Sequence, residues 1–156
     1  MLYKEEFRDL FSVSEEYYLA HCISADFGMG KGIVVEFNRR FDAKNKLIRM
    51  FDGNVVGIWD KTGENGAPQG VCLKIDRVLN LVTKRNYWLK PTYRTLTEAL
   101  ISMREICGDF NINKEAMPLI GCGLDMLQWN KVSDIIKEVF EDTDMEILVC
   151  KCGRFT

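Results

Sequence analysis

Histidine occurs once in the 156 residues, as His21, and that scarcity removes whole classes of chemistry. A zinc site built on several imidazoles is excluded, and any Ser-His-Asp or Cys-His mechanism would have to run through this one residue. Long apolar runs are also missing. Segments such as Gly32-Ile33-Val34-Val35 fall far short of the roughly 20 residues that a membrane-spanning helix needs. The opening Met1-Leu2-Tyr3-Lys4-Glu5-Glu6-Phe7 has acids where a secretory signal would have a basic region and an apolar stretch. An intracellular, reducing location is expected, and no basic targeting cluster chooses between nucleus and cytoplasm. Charge of one sign is not in excess either: 21 basic and 23 acidic side chains leave a net charge of −2. No whole-domain field draws the chain onto nucleic acid.

What is present suits one globular domain over residues 1–156. Apolar residues make up 47% and aromatics 11%, spread over the whole length, which is enough to bury a sizeable core. The six cysteines (Cys22, Cys72, Cys107, Cys122, Cys150, Cys152) lie mostly inside apolar segments and form no CxxC. They read as thiols that pack as small hydrophobes.

Short β-branched or apolar segments alternate with helical patterns, the sign of an α/β layered fold. Strands are predicted at 18–23, 55–59, 71–75, 78–83, 117–120 and 147–150, with turn chemistry at 61–66. Three helices are predicted. One runs from about Gly30 to Phe41, with Ile33, Val34, Phe37 and Phe41 on one side. A second follows Pro91, with Thr95 and Glu98 at capping-box spacing and a stripe of Leu96, Leu100, Met103 and Cys107. A third carries Val132, Ile135, Ile136, Val139 and Phe140 at the spacing of a helix face. These stripes read as core.

Two glycine clusters follow predicted strands: Ser24-Ala25-Asp26-Phe27-Gly28-Met29-Gly30-Lys31-Gly32 and Leu119-Ile120-Gly121-Cys122-Gly123-Leu124-Asp125. Glycines at a strand end let backbone amides approach a ligand, and a following helix start adds unpaired N–H groups, which suits a phosphate. Neither cluster is a standard nucleotide fingerprint. GxGxxG would need glycine at Ile33 or Met126, and a Walker loop would need serine or threonine where Gly32 stands. Alone, each is more often a tight connecting turn than a ligand cradle. Two in one α/β domain favour a ligand, because such folds bind outside the carboxyl ends of their strands.

Lys84 ends an apolar strand and Asp125 follows the second glycine loop. Lys84 suits a phosphate counter-charge, or a nucleophile toward a sugar carbon if its amine is deprotonated. Asp125 suits a helix N-cap or a general base.

His21-Cys22-Ile23-Ser24 with Met29-Gly30-Lys31-Gly32-Ile33, Thr83-Lys84-Arg85 with Lys90-Pro91-Thr92-Tyr93, and Met117-Pro118-Leu119-Ile120-Gly121-Cys122-Gly123-Leu124-Asp125 with Leu127-Gln128-Trp129 together resemble the terminal ADP-ribose protein glycohydrolase branch of the macrodomains. The resemblance runs from about Asp9 to the last strand. It implies a three-layer α/β/α sandwich with a mixed central sheet and an ADP-ribose cleft across the strand ends. By position it assigns Asp9 to the adenine amino group and Leu10 to the adenine pocket. Ser24 with Met29, Gly30 and Gly32 would flank the distal ribose, and Thr83 would join the ligand-binding set. Leu119, Ile120, Gly121, Cys122, Gly123 and Leu124 would wrap the diphosphate, with Cys152 near the adenine. Lys84 and Asp125 correspond to the catalytic pair. Arg8 stands where the family commonly has a glycine, and residues 45–69 differ from the family in length and composition.

The expected activity is removal of ADP-ribose from glutamate- or aspartate-linked proteins and deacylation of O-acyl-ADP-ribose through a lysine nucleophile. No metal or cofactor is needed, and His21 reads as a core strand residue. The partners expected are ADP-ribose and ADP-ribosylated proteins, with no membrane, nucleic acid not favoured, and a monomeric state. A phosphatase acting on ADP-ribose 1''-phosphate, a hydrolase acting on ADP-ribosylated nucleic acid and a non-catalytic reader are the alternatives. Lys84 and Asp125 together favour hydrolysis over reading. Lys84, Arg85 and Lys90 form a basic strip that reads as solvated surface or as a phosphate contact.

Overall fold

The computed structural model describes residues 1–51 and 68–152. Six strands form one mixed sheet: β1 Leu2–Phe7, β2 Tyr18–Ser24, β3 Val71–Ile75, β4 Val78–Lys84, β5 Lys114–Met117 and β6 Glu146–Lys151. Their order is β1-β6-β5-β2-β4-β3. The pairs β1–β6, β6–β5, β5–β2 and β2–β4 are parallel, and β3 runs antiparallel to β4. Four helices accompany them: α1 Ile33–Phe41, α2 Ala43–Met50, α3 Tyr93–Asp109 and α4 Trp129–Phe140. The predicted strand at 55–59 and turn at 61–66 lie outside the described residues.

Strand alternation divides the core into two layers. Ala20, Leu79, Leu81, Met117, Ile147 and Val149 point toward α3 and α4. Leu19, Val78, Ala116 and Leu148 meet Phe37 of α1, while Ile23 and Val82 meet Ala43 and Leu47 of α2. The result is the three-layer α/β/α sandwich with a mixed sheet. Val132, Ile136 and Phe140 of α4 are wholly buried, at about 2 kcal/mol of hydrophobic stabilisation each.

Several predicted boundaries shift. The strand expected at 117–120 ends at Met117 instead, because Pro118 has no N–H for the ladder, and its pairing lies earlier, at Glu115 and Ala116 against Tyr18 and Leu19. α3 is capped by Thr92, whose side chain accepts from the Thr95 N–H while the Thr95 hydroxyl accepts from the Thr92 N–H. Glu98 pairs instead with Arg94 one turn away, at 3.0 Å. β1 and α2 have no counterpart among the predicted elements. β1 is an edge strand rich in charge, and Arg8 extends its ladder through an N–H bond to the Lys151 carbonyl at 3.1 Å.

His21 is a core residue, as expected. It is fully buried, stacked on Phe37 with ring centroids 3.7 Å apart, and its Nε2 lies 2.6 Å from Asn80 Oδ1. Asn80 gives its amide N–H to the Leu73 carbonyl, so its Oδ1 accepts and Nε2 is the donor. Burial holds its pKa down at about 4. The six cysteines are all thiols, with Cys72, Cys107 and Cys150 buried. Among the described residues no helix is long and apolar enough to cross a membrane.

Candidate active site

The five parallel strands end on one edge of the sheet, so the segments after β1, β6, β5, β2 and β4 lie there side by side. From β1 to β4 that edge spans four strand intervals, roughly 19 Å at ~4.8 Å each. Asp9 follows β1, Cys152 follows β6, the second glycine loop follows β5, the first follows β2, and Lys84 closes β4. One elongated ligand could therefore touch all five.

At the β2–β4 end the chemistry concentrates. Ser24 pairs with Lys84 across the ladder, where the register slips between Ile23 and Ser24. Such bulges re-aim side chains. Lys84 Nζ stands 2.6 Å from Asp125 Oδ1, each side chain about 15% exposed. Removing this pair from water costs free energy that their attraction must offset, so it is a poor device for stability alone. Beneath it, burial and the nearby Asp125 carboxylate push the Cys22 thiol up to about 12, and burial pushes Cys122 up to about 11. Neither is a ready thiolate.

The second glycine loop is built from its own backbone. The amides of Ile120 and Cys122 bond to the carbonyls of Pro118 and Leu119, while Leu127 and Met126 bond back to Gly121 and Gly123. The amides of Gly121, Gly123 and Leu124 have no acceptor among the described residues. Gly121 has φ +73°, and a Cβ there would stand 3.0 Å from Leu127 Cδ1, so glycine is required for the turn. The two glycine loops touch: a Cβ on Gly32 would lie 3.4 Å from Leu124 Cδ1. The Lys90 ammonium donates to the Leu124 carbonyl, bracing the peptide just before Asp125.

Other assigned residues take definite places. Asp9 Oδ1 accepts from the Phe11 N–H at 2.9 Å and so caps the short turn at Leu10–Ser12. Leu10 and Met29 are buried, Leu10 beside Phe37 and Met29 beside Phe27 and Leu47. Their side chains anchor the segments they belong to. Thr83 is buried as well, whereas nothing stands over Gly30. Lys84, Asp125, Ser24, Gly32 and Leu124 thus form one cluster, and Asp9, Leu10 and Cys152 lie at the far end of the edge.

Asp26 carries a role that its sequence gave no reason to single out. Its Oδ1 accepts from the Ser24 hydroxyl at 2.5 Å and from the Gly28 N–H at 3.0 Å, and its Oδ2 accepts from the Tyr87 N–H at 3.1 Å. One carboxylate thereby ties the loop that follows β2 to the turn that follows β4, beside Lys84. The available signal was an aspartate two residues beyond a serine at a strand end, where Asp side chains bond nearby backbone.

Comparison with solved structures gives the class. The macrodomain of Mycobacterium tuberculosis DarG superposes with a TM-score of 0.76 at 22% identity, over 96% of this chain and 97% of that one. Thermosipho africanus DarTG in complex with ADP-ribose does so with a TM-score of 0.65 at 18% identity, over 91% of this chain and 39% of that one. The fold is that of a macrodomain. No family model matches the sequence, but curated relatives narrow the assignment. The ADP-ribose glycohydrolase OARD1 of Homo sapiens is 40% identical over 143 residues, 90% of this chain and 86% of the relative, and the Bos taurus protein of that name matches equally. The chain belongs to the terminal ADP-ribose protein glycohydrolase branch of the macrodomains, and it is an ADP-ribose glycohydrolase.

Proposed function

We propose that the enzyme releases ADP-ribose from glutamate- and aspartate-linked proteins, and deacylates O-acyl-ADP-ribose, with Lys84 as nucleophile and Asp125 as its proton acceptor. The 2.6 Å contact between Lys84 Nζ and Asp125 Oδ1 carries this reading. An ammonium cannot attack, and the carboxylate stands where it can take the proton. The free amine would then bond to the anomeric carbon of the distal ribose as the C–O bond breaks and the acyl carboxylate leaves. A carboxylate is a good leaving group, so it needs no acid to assist it. Asp125 would then pass that proton to solvent, and water would displace the lysine nitrogen, its proton going to the freed Asp125 carboxylate and on to the departing lysine amine as ADP-ribose is released.

The binding roles follow the same edge. The amides of Gly121, Gly123 and Leu124 would meet the diphosphate, Ser24 and the 29–32 loop the distal ribose, and Asp9 with Cys152 the adenine end. Ser24 donates its hydroxyl proton to Asp26, which leaves its oxygen free to accept from a ribose hydroxyl. In the test, Lys84→Ala is expected to bind ADP-ribose within about threefold of the unaltered protein while losing turnover of glutamate-linked ADP-ribose by about a hundredfold or more. Trapping an ADP-ribose mass adduct on Lys84 in Asp125→Ala would support the covalent step. Full activity in Lys84→Ala would overturn it.

A further inference from the structure

We infer that an exposed aromatic and apolar rim around the Lys84–Asp125 pair receives the polypeptide that bears the ADP-ribose, so that the enzyme reads protein sequence beside the modified carboxylate. The inference rests on the acyl-linked protein substrate proposed above. The rim has two sides. One is the turn that follows β4, closed by the Leu89 N–H bond to the Asn86 carbonyl at 3.1 Å. Its two central residues are Tyr87 and Trp88, 63% and 56% exposed, with rings edge-on at 5.1 Å. Turn centres ordinarily carry Gly, Pro, Asn, Asp or Ser, so two large rings held there in water need another reason. The second side is Leu124 and Met126, 59% and 76% exposed, which flank Asp125 directly. Lys90 bridges the two sides through its bond to the Leu124 carbonyl.

Position supplies the occupant. A glycohydrolase cleaves at the anomeric carbon, and the group leaving that carbon must depart between the segments that flank the reacting pair. Those segments expose Trp, Tyr, Met and Leu. Trp, Tyr and Met are enriched where proteins bind proteins. A nucleic-acid strand would call for a longer track of cations than Arg85 and Lys90 beside the pair, and the chain is net negative.

The test uses the full chain carrying Lys84→Ala, so that ester-linked probes persist, and compares three ligands: free ADP-ribose, a peptide with one glutamate-linked ADP-ribose, and a single-stranded oligonucleotide with a terminal ADP-ribose. The peptide is expected to bind about fivefold or more tighter than free ADP-ribose. Adding Trp88→Ser or Met126→Asn should erase that advantage and leave free ADP-ribose within about twofold. Asparagine suits the left-handed backbone of Met126, φ +65°. Equal affinity for peptide and free ADP-ribose, equal weakening of both by the rim variants, or an advantage confined to the oligonucleotide would each overturn the inference. Failure of free ADP-ribose to bind is a separate result: it removes the substrate reading, and the rim's role with it.

Discussion

Replacing Glu115 by glutamine should make the protein more stable in mild alkali and leave it nearly unchanged in mild acid. Glu115 lies on β5 and is fully buried, opposite Tyr18 on one neighbouring strand and Ile147 on the other. The Cys107 thiol of α3 donates to Oε2 across 3.8 Å, and Oε1 has no partner among the described residues. Burial pushes the carboxyl from its ordinary 4.5 up to about 8. The folded state therefore holds the proton more tightly than the unfolded chain does. Below about pH 4.5 both states are protonated and nothing is lost. Between there and about pH 8 stability falls by up to ~1.4 kcal/mol per pH unit, on the order of 3–5 kcal/mol in all. An amide of the same shape has no charge to bury. Urea unfolding followed by circular dichroism at several values from pH 5 to 9 is the assay. The stability of Glu115→Gln relative to the unaltered protein should start within about 1 kcal/mol at pH 5 and climb by several kcal/mol by pH 9. Parallel profiles across that range would refute the buried-carboxyl argument, because every other titrating group is shared by the two proteins.

His21 titrates in the opposite sense. Its folded pKa is held at about 4 against an ordinary 6.5, so the stability it lends is complete above pH 6.5 and is lost as pH falls toward 4, by about 3 kcal/mol. Urea midpoints of His21→Gln should show a flatter acid limb, and an unchanged limb would count against it. Asp26→Ala frees Ser24, the Gly28 amide and the Tyr87 amide at once. It should cost about 1–2 kcal/mol in stability and raise KM for O-acetyl-ADP-ribose about tenfold through the loosened ribose loop; unaltered KM would remove Asp26 from the positioning role.

The elements that could be read from sequence were those whose pattern and packing agree. α3 and α4 bury their stripes against one face of the sheet, and β4 is a continuous buried run because helices cover both its faces. β1 escaped notice because it is an edge strand whose Lys4, Glu5 and Glu6 break any apolar alternation. α2 escaped because Asp42, in the left-handed conformation at φ 52°, divides it from α1, and it buries only Ala43 and Leu47. At the site, glycine spacing drew attention to both loops, and Lys84 and Asp125 were paired by family resemblance. Their 2.6 Å contact joins residues 41 apart in the chain, which no periodicity encodes. The clamp at Asp26 was hidden for the same reason: its Tyr87 partner is 61 residues away.

The shared strand edge has a further consequence. Asp9, Ser24, Lys84, the 119–125 loop and Cys152 follow or close five strands that lie far apart in the sequence. β6, the last of them in sequence, sits between β1 and β5. A substitution that loosens β6 would therefore part the segment bearing Asp9 from the 119–125 loop, while the Lys84–Asp125 contact, which lies on the other side of β5, would persist.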